Sequence, residues 1–430
     1  MIRLLTAFLL GLAAPAAAAD IAITGARILT MGPGGAIEEG TLVIRADRIV
    51  AVGANVPVPA NARVIDGRGA VLAPGFIQAD STLGAVEVSQ VPTSADRATH
   101  SRRISAGFDI SLGLNPDSIL LPVSRLAGIT HAVVTPLYDD RSGRELLFAG
   151  QAAVVDLGQR PDMVTRPRVA MVLEMGEGGA GRAGGARGAT IVALRALLDD
   201  VRHFARNRDA YDRGAGRPQS MSRIDLEALV PVAEGRMPLI VKLDRASDML
   251  EMIAFARAER LRIIFDGAAE GWRIADAIAQ AGIPVILDPV QNLPKSFSEL
   301  GATLENAARL HAAGVVIVLR TGSGVAHRAR ELRYGAGNAV AYGLPYDAAV
   351  AAITINPARI FGVGDRIGSL EAGKEADLIL WSGDPLEPLS QPKAIFIRGI
   401  EQPLTSRPLE LRDRYLPAAI SSTGSPSGGD

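Results

Sequence analysis

Four side chains able to move protons or hold a cation stand at the ends of apolar runs. Asp80 follows the run 71–79, Glu174 closes 168–174, Lys242 lies in 238–243, and Asp266 follows 261–265. Brought to one point, Asp80, Glu174 and Asp266 would be oxygen ligands for a hard cation, and Asp80 with Lys242 would be an acid and a base. Carboxylates crowded together repel and resist ionisation unless a positive charge compensates them. Lys242 is the obvious compensation. The only other lysines are Lys295, Lys374 and Lys393, so its position is informative.

Imidazole is scarce. The five histidines are His100, His131, His203, His311 and His327, and no two have short ligand spacing. His131 sits in an apolar run and reads as a satisfied core residue. His203 and His311 fall in helical, surface-type patterns, and His100 in a polar segment. His327 follows the run 315–320 and is a candidate contact for a bound ligand. The chain has no cysteine, which excludes a thiolate metal site, a disulfide framework and a cysteine nucleophile.

The elements that must position these residues show in the hydropathy pattern. Residues 21–73 read as short β-branched strands with turns at Pro33-Gly34-Gly35 and Asp66-Gly67. From residue 71 onward, apolar runs at 71–79, 129–136, 150–156, 168–174, 238–243, 261–265, 284–287 and 315–320 alternate with amphipathic stretches. The clearest of those is 247–260, with Met249, Met252, Ile253 and Ala256 on one face. Eight strands alternating with helices predict an α/β fold, a (β/α)8 TIM-type barrel, whose strand ends converge on one mouth. Strand patterns return at 376–381 and 393–398. They predict a small composite β-sandwich domain built from both chain ends, residues 20–70 and 365–400, with the barrel at 71–364 between them. Residues 401–430 read as a tail, disordered from Ser421. Residues 176–188 contain seven glycines with Arg182 and Arg187. They predict a mobile loop, and they lack the Gly-Lys-Ser/Thr ending of a phosphate-binding loop.

With 430 residues and 48% hydrophobic content, the chain can bury a large core. A formal net charge of −1 gives no electrostatic case for nucleic acid or an anionic membrane.

Pro74-Gly75-Phe76-Ile77 resembles the start of the amidohydrolase superfamily motif Pro-Gly-Phe-Ile-Asp-x-His-x-His. Further matches run through 338–345, 353–362, 368–381 and 383–386, the last two including Gly-Ser-Leu-Glu-Ala-Gly-Lys-Glu-Ala-Asp-Leu and Gly383-Asp-Pro-Leu. The chain is identified as similar to the imidazolonepropionase-like, exported branch. That resemblance implies a metal-dependent barrel acting on C–N bonds, with zinc held by histidines and a strand-8 aspartate as base. Here the two strand-1 histidines fall on Asp80 and Thr82. The strand-5 histidine falls on Lys242, the strand-6 histidine on Asp266 and the strand-8 aspartate on Gly322; Glu174 is a candidate for a bridging acid. The resemblance therefore implies a vestigial site with no zinc or other cofactor.

The expected function is that of a non-catalytic homologue, binding a small-molecule ligand or an active amidohydrolase paralogue, with a homodimer implied by the family. The alternative is an active hydrolase of non-peptide or dipeptide-type C–N bonds with an unusual metal or metal-free site. A purely structural module is a third reading, which the intact scaffold motifs disfavour.

The first residues read as an export signal at 1–19: Arg3, the apolar run 4–12, then an alanine-rich cleavage site. The apolar run is too short to span a bilayer. A periplasmic or secreted protein, free of the membrane after cleavage, is expected. Mass spectrometry of the mature protein should find a start at Ala19 or Asp20; a soluble product still beginning at Met1 would contradict this.

Overall fold

A computed structural model describes residues 19–101, 103–138, 147–322 and 324–416. The expected signal segment, apart from Ala19, and the tail from Ser421 lie outside these residues.

Two eight-stranded sheets carry the fold. The first combines strands from both ends of the chain: β1 Ile21–Leu29, β2 Ala36–Arg45, β3 Arg48–Gly53, β4 Arg63–Asp66 and β5 Val71–Pro74, with β14 Leu378–Trp381, β15 Pro392–Ile397 and β16 Ile400–Glu401. Its order is β16-β15-β14-β5-β1-β2-β3, and β4 pairs with β1. β14 is only four residues long. It gains ladder partners on both sides, antiparallel to β5 and β15, so neither chain end leaves an open edge there. Ile23, Ile28, Leu42, Ile44, Leu72, Leu378 and Phe396 form the core of this domain, all at most 1% exposed.

The second sheet is the barrel, with strands in sequence order: β6 Phe76–Ser81, β7 Ile129–Val134, β8 Phe148–Asp156, β9 Val164–Glu174, β10 Leu239–Leu243, β11 Ile263–Gly267, β12 Val285–Leu287 and β13 Ile317–Leu319. Each coincides with a run read from the sequence, with one division. The run 71–79 is two strands, β5 in the small domain and β6 in the barrel, and Gly75 is the step between them. The backbone passes so close to Thr130 that a Cβ at Gly75 would overlap that side chain. Pro74-Gly75 thus hands the chain from one domain to the next.

The barrel departs from a regular eightfold repeat. β8 runs antiparallel to both β7 and β9, while the other ladders are parallel. A parallel return needs a crossover of a dozen or more residues. The connection from β8 to β9 spans only 157–163, so it is a hairpin. β6 meets the chain just past β13 through a side chain, Gln78 Nε2 donating to the Thr321 carbonyl at 2.9 Å, and Asn356 Nδ2, on the helix Ile355–Ile360, donates to the Ile317 carbonyl at 2.9 Å.

Helices cover the outside. Ala246–Glu259 buries Met249, Met252, Phe255 and Ala256 against the strands, and Arg260 in a left-handed conformation ends it. Fully burying such side chains contributes roughly 1.5–3 kcal/mol each. The glycine-rich segment is more ordered than its composition predicts. Glu177–Arg182 is a short helix and Arg187–Arg206 a long one. Their start is anchored because Glu177 accepts hydrogen bonds from Arg187 and Ser298, and Arg182 stacks 4.1 Å from the Tyr138 ring. Past the second sheet, Arg407–Tyr415 forms a helix where only a tail was expected. Among the described residues no helix is long and apolar enough to cross a membrane.

Gly75→Ala should lower stability by about 1–3 kcal/mol, since Thr130 or the strand must shift to admit a methyl group. Urea unfolding measures this; a variant as stable as the parent would show that the close approach carries no constraint.

Candidate functional site

The site rises from a period of two. One apolar residue from each strand fills the barrel interior: Ile77, Val133, Val154, Val172, Ile240, Ile264, Ile286 and Val318. Side chains alternate across a strand, so residues two further on share the inward direction. Those residues are Glu174, Lys242, Asp266, Asp288 and Arg320. The apolar plug and the polar site above it therefore come from one alternation, and all five line a single cavity of about 480 Å³.

Asp80 is out of phase, because Ala79 holds the inward position on β6. The chain corrects this by bending. Asp80 adopts φ +50°, and the β6–β7 register shifts between Gln78 and Ser81. A left-handed conformation is uncommon for a residue with a side chain, and it marks stored strain. Its result is a carboxylate turned into the barrel, 1% exposed, whose Oδ1 accepts the Thr135 hydroxyl at 2.6 Å.

Four charges meet there. Lys242 Nζ lies 2.9 Å from Asp80 Oδ1 and 3.3 Å from Asp266 Oδ2. Arg320 Nε lies 2.7 Å from Asp266 Oδ1 and 3.6 Å from Asp80 Oδ2. Each acid thus faces both cations, and the formal charges of the quartet cancel. Burial alone would lower the pKa of Lys242 and of Arg320. The two aspartates more than offset it, and both cations titrate above their ordinary range.

The remaining sequence candidates divide. Glu174 lines the same cavity, and its backbone N–H donates to the Tyr138 hydroxyl at 3.1 Å. Thr82 is fully buried, its hydroxyl directed at the Gly324 carbonyl at 3.4 Å, and it is not among the cavity's lining residues. Gly322 lines the cavity with φ +58°, and a Cβ there would come 2.5 Å from Arg328 Cβ. An aspartate at that position would meet both strain and a clash. His327, read as a ligand contact, is exposed on the turn Ala326–Glu331 and is not among the residues lining this cavity. The structure thus brings Asp80, Lys242 and Asp266 together, with Glu174 on the same wall.

The sequence reading missed Arg320, although Val318 sets its phase. It also missed Asp244, a lining residue whose pKa burial pushes up to about 6. A larger cleft of about 630 Å³, lined by Arg166, Arg236, Arg262 and Phe361, lies by the strand starts and away from this quartet.

Among the described residues, one group of His and acidic side chains is close enough to share a metal ion, and it lies elsewhere. His131, Glu375 and Asp377 place ligand atoms within 4.8 Å of one another, all buried. This corrects two expectations. The chain is not without a metal-ligand grouping, and His131 is not a satisfied core histidine, since its Nε2 has no hydrogen-bond partner. Glu375 and Asp377 are some 240 residues away in the chain, so spacing could not reveal them.

Comparisons with known proteins agree with this architecture. Residues 260–401 match the model of the Amidohydrolase family. An imidazolonepropionase from Aromatoleum aromaticum is 27% identical over 399 residues, covering 82% of this chain and 87% of that protein. An amidohydrolase from Thermotoga maritima MSB8 superposes with a TM-score of 0.78 at 23% identity, over 90% of this chain and 100% of the other. Amidohydrolase tasK of Hapsidospora irregularis is 44% identical over 61 residues, but the chain spans only 6% of that protein's length. The family match over 260–401 and these relatives support the amidohydrolase superfamily for this chain.

Lys242→Met should destabilise the fold by about 3–5 kcal/mol, because it leaves a buried carboxylate pair with one cation. The folded pKa of Lys242 is raised, so its contribution is full below the unfolded lysine value near 10.4 and is lost as pH rises further. Thermal melts of parent and variant should differ fully at neutral pH and begin to converge only above about pH 10, as the pH climbs toward the raised folded value. A difference that is absent at pH 7 would contradict the geometry.

Proposed function

We propose that this is an exported, non-catalytic amidohydrolase homologue whose barrel mouth binds a small polar ligand. The observation that carries the reading is the placement of Lys242 and Arg320 between Asp80 and Asp266. A zinc ion needs several nitrogen or oxygen donors free to approach it. Here two cations occupy the space between the two acids, and no histidine lines the cavity. The residues do not fit the metal that the family implies. Gly322, at the position matched to the family's base, has no side chain to take a proton. The export part rests on the residues of 1–19 alone.

The mouth still has recognition chemistry. Its wall carries Glu174, Glu177, Asp288 and Glu299 on one side of the charge balance, and Lys295 and Arg328 beyond the quartet on the other. Opposed charges on one wall suit a small zwitterion. Substrate-sized volume and charged walls are what a hydrolase mouth would leave behind once its metal was replaced.

A second reading is favoured by Asp244. A carboxyl group in the cavity with a pKa of about 6 is poised for general acid–base work near neutral pH. It would make the protein a metal-free hydrolase of C–N bonds, with Lys242 and Arg320 stabilising developing negative charge.

The two readings separate by assay. Cyclic amides and dipeptides should show no turnover above that of an Asp244→Asn control, with or without added divalent metal. Amino acids and dipeptides should raise the melting temperature of the parent and not of Lys295→Ala, whose exposed side chain is dispensable for folding. Turnover that is lost in Asp244→Asn and rises or falls with a pKa near 6 would establish the second reading instead.

A further inference from the structure

The group formed by His131, Glu375 and Asp377 lies at the junction of the two domains. His131 is on β7, and its register partner is Ile77, near the start of β6. Asp80, at the mouth, is near the end of that strand. Glu375 and Asp377 lie just before β14, in the segment that enters the small domain. The Asp377 carbonyl accepts the N–H of Gly75, the residue linking the two sheets.

Each of the three side chains is tied down by one atom and offers the other. His131 Nδ1 lies 3.1 Å from the Thr130 hydroxyl, which leaves Nε2 pointing away. Glu375 Oε1 accepts two N–H groups of Arg366, at 2.8 and 2.6 Å. Asp377 Oδ1 accepts the Arg398 N–H at 2.8 Å. The free atoms, His131 Nε2, Glu375 Oε2 and Asp377 Oδ2, all lack a hydrogen-bond partner. The residues are 1%, 3% and 4% exposed. His131 Nε2 and Asp377 Oδ2 are 4.0 Å apart, too far for a hydrogen bond.

Three buried polar atoms without partners at one point is a costly arrangement, since each loses its hydration and gains nothing in return. The surrounding charges do not relieve it. Arg366 and the more distant Arg48 face Glu375 Oε1, while Arg398 and Arg160 bond Asp156, itself next to His131 in the β7–β8 ladder. Asp377 has no lysine or arginine side chain within ion-pair distance among the described residues. A cation placed among the three free atoms would satisfy all of them.

We propose that His131, Glu375 and Asp377 bind one divalent transition-metal ion that clasps the small β domain to the barrel. One imidazole nitrogen and two carboxylate oxygens suit zinc, manganese or cobalt better than calcium or magnesium, which prefer all-oxygen sites. The ligands already have the outer partners that fix ligand orientation: Thr130 on the imidazole, Arg366 and the Arg398 N–H on the carboxylates. The group is buried and apart from the mouth, so its role is structural. The ion is taken up as the domains close, and its binding energy adds to folding.

The full-length mature protein, stripped with chelator, should recover about one equivalent of zinc after loading and desalting. Asp80→Asn should retain it, which places the ion away from the mouth. His131→Gln and Glu375→Gln should each fall below about one tenth of an equivalent. The melting temperature of the parent should rise with zinc and fall with chelator, and His131→Gln should respond to neither. If that variant fails to fold, the parent alone decides, because its cobalt form should show visible absorption bands. Absence of stoichiometric metal in the parent, absence of those bands, or zinc retained in folded His131→Gln would overturn the proposal. So would zinc lost from Asp80→Asn. A parent that binds no metal but loses stability as His131 deprotonates would assign the group to a buried imidazolium instead.

Discussion

Charge cannot be buried in a closed barrel unless it is balanced in place. Asp80 and Asp266 enter a mouth whose floor is a ring of Val and Ile side chains, where bulk water cannot screen them. Either acid alone would be driven toward its neutral form. Lys242 and Arg320 stand against both acids and balance their formal charge, and in doing so they define what the mouth can do. A barrel of this family ordinarily relies on a divalent ion for that balance. Two side-chain cations give a similar net charge but cannot act as a Lewis acid or acidify a bound water.

The same balance constrains the backbone. Asp80 reaches the quartet only because the chain takes a left-handed step and slips register at the end of β6. Gly75, a few residues earlier, permits the other departure, the crossing from the small domain into the barrel past Thr130. One short segment therefore contains the domain junction, the start of the barrel and one corner of the ion cluster. The junction group of His131, Glu375 and Asp377 abuts it from the other side, through the Asp377 carbonyl on Gly75.

Much of this was legible in the residues, for identifiable reasons. The barrel strands were readable because each is a dense apolar run bounded by turn residues, and the ends of those runs marked Asp80, Lys242 and Asp266. Arg320 was equally readable in principle, since Val318 fixes its inward phase. The family motif points instead to Gly322, two positions along. The antiparallel course of β8 was not read, although the short link at 157–163 leaves no room for a crossover. The helix Glu177–Arg182 was hidden because its glycines argue against order, and its support comes from Ser298, Arg187 and Tyr138, which are remote in the chain or on another element. Only tertiary packing brings Glu375 and Asp377 to His131, and the pattern of the sequence contains no trace of that encounter.

The central claim is that Lys242 and Asp80 interact directly as a buried pair that replaces the charge of a metal. A double-mutant cycle measures that interaction free of the separate effects of each substitution. Denaturant unfolding of the parent, Lys242→Met, Asp80→Asn and the double variant at pH 7 should give a coupling energy of about 1–3 kcal/mol favouring the pair. A coupling near zero would mean that the two side chains do not act on each other, and the ion cluster would lose its place at the centre of this account.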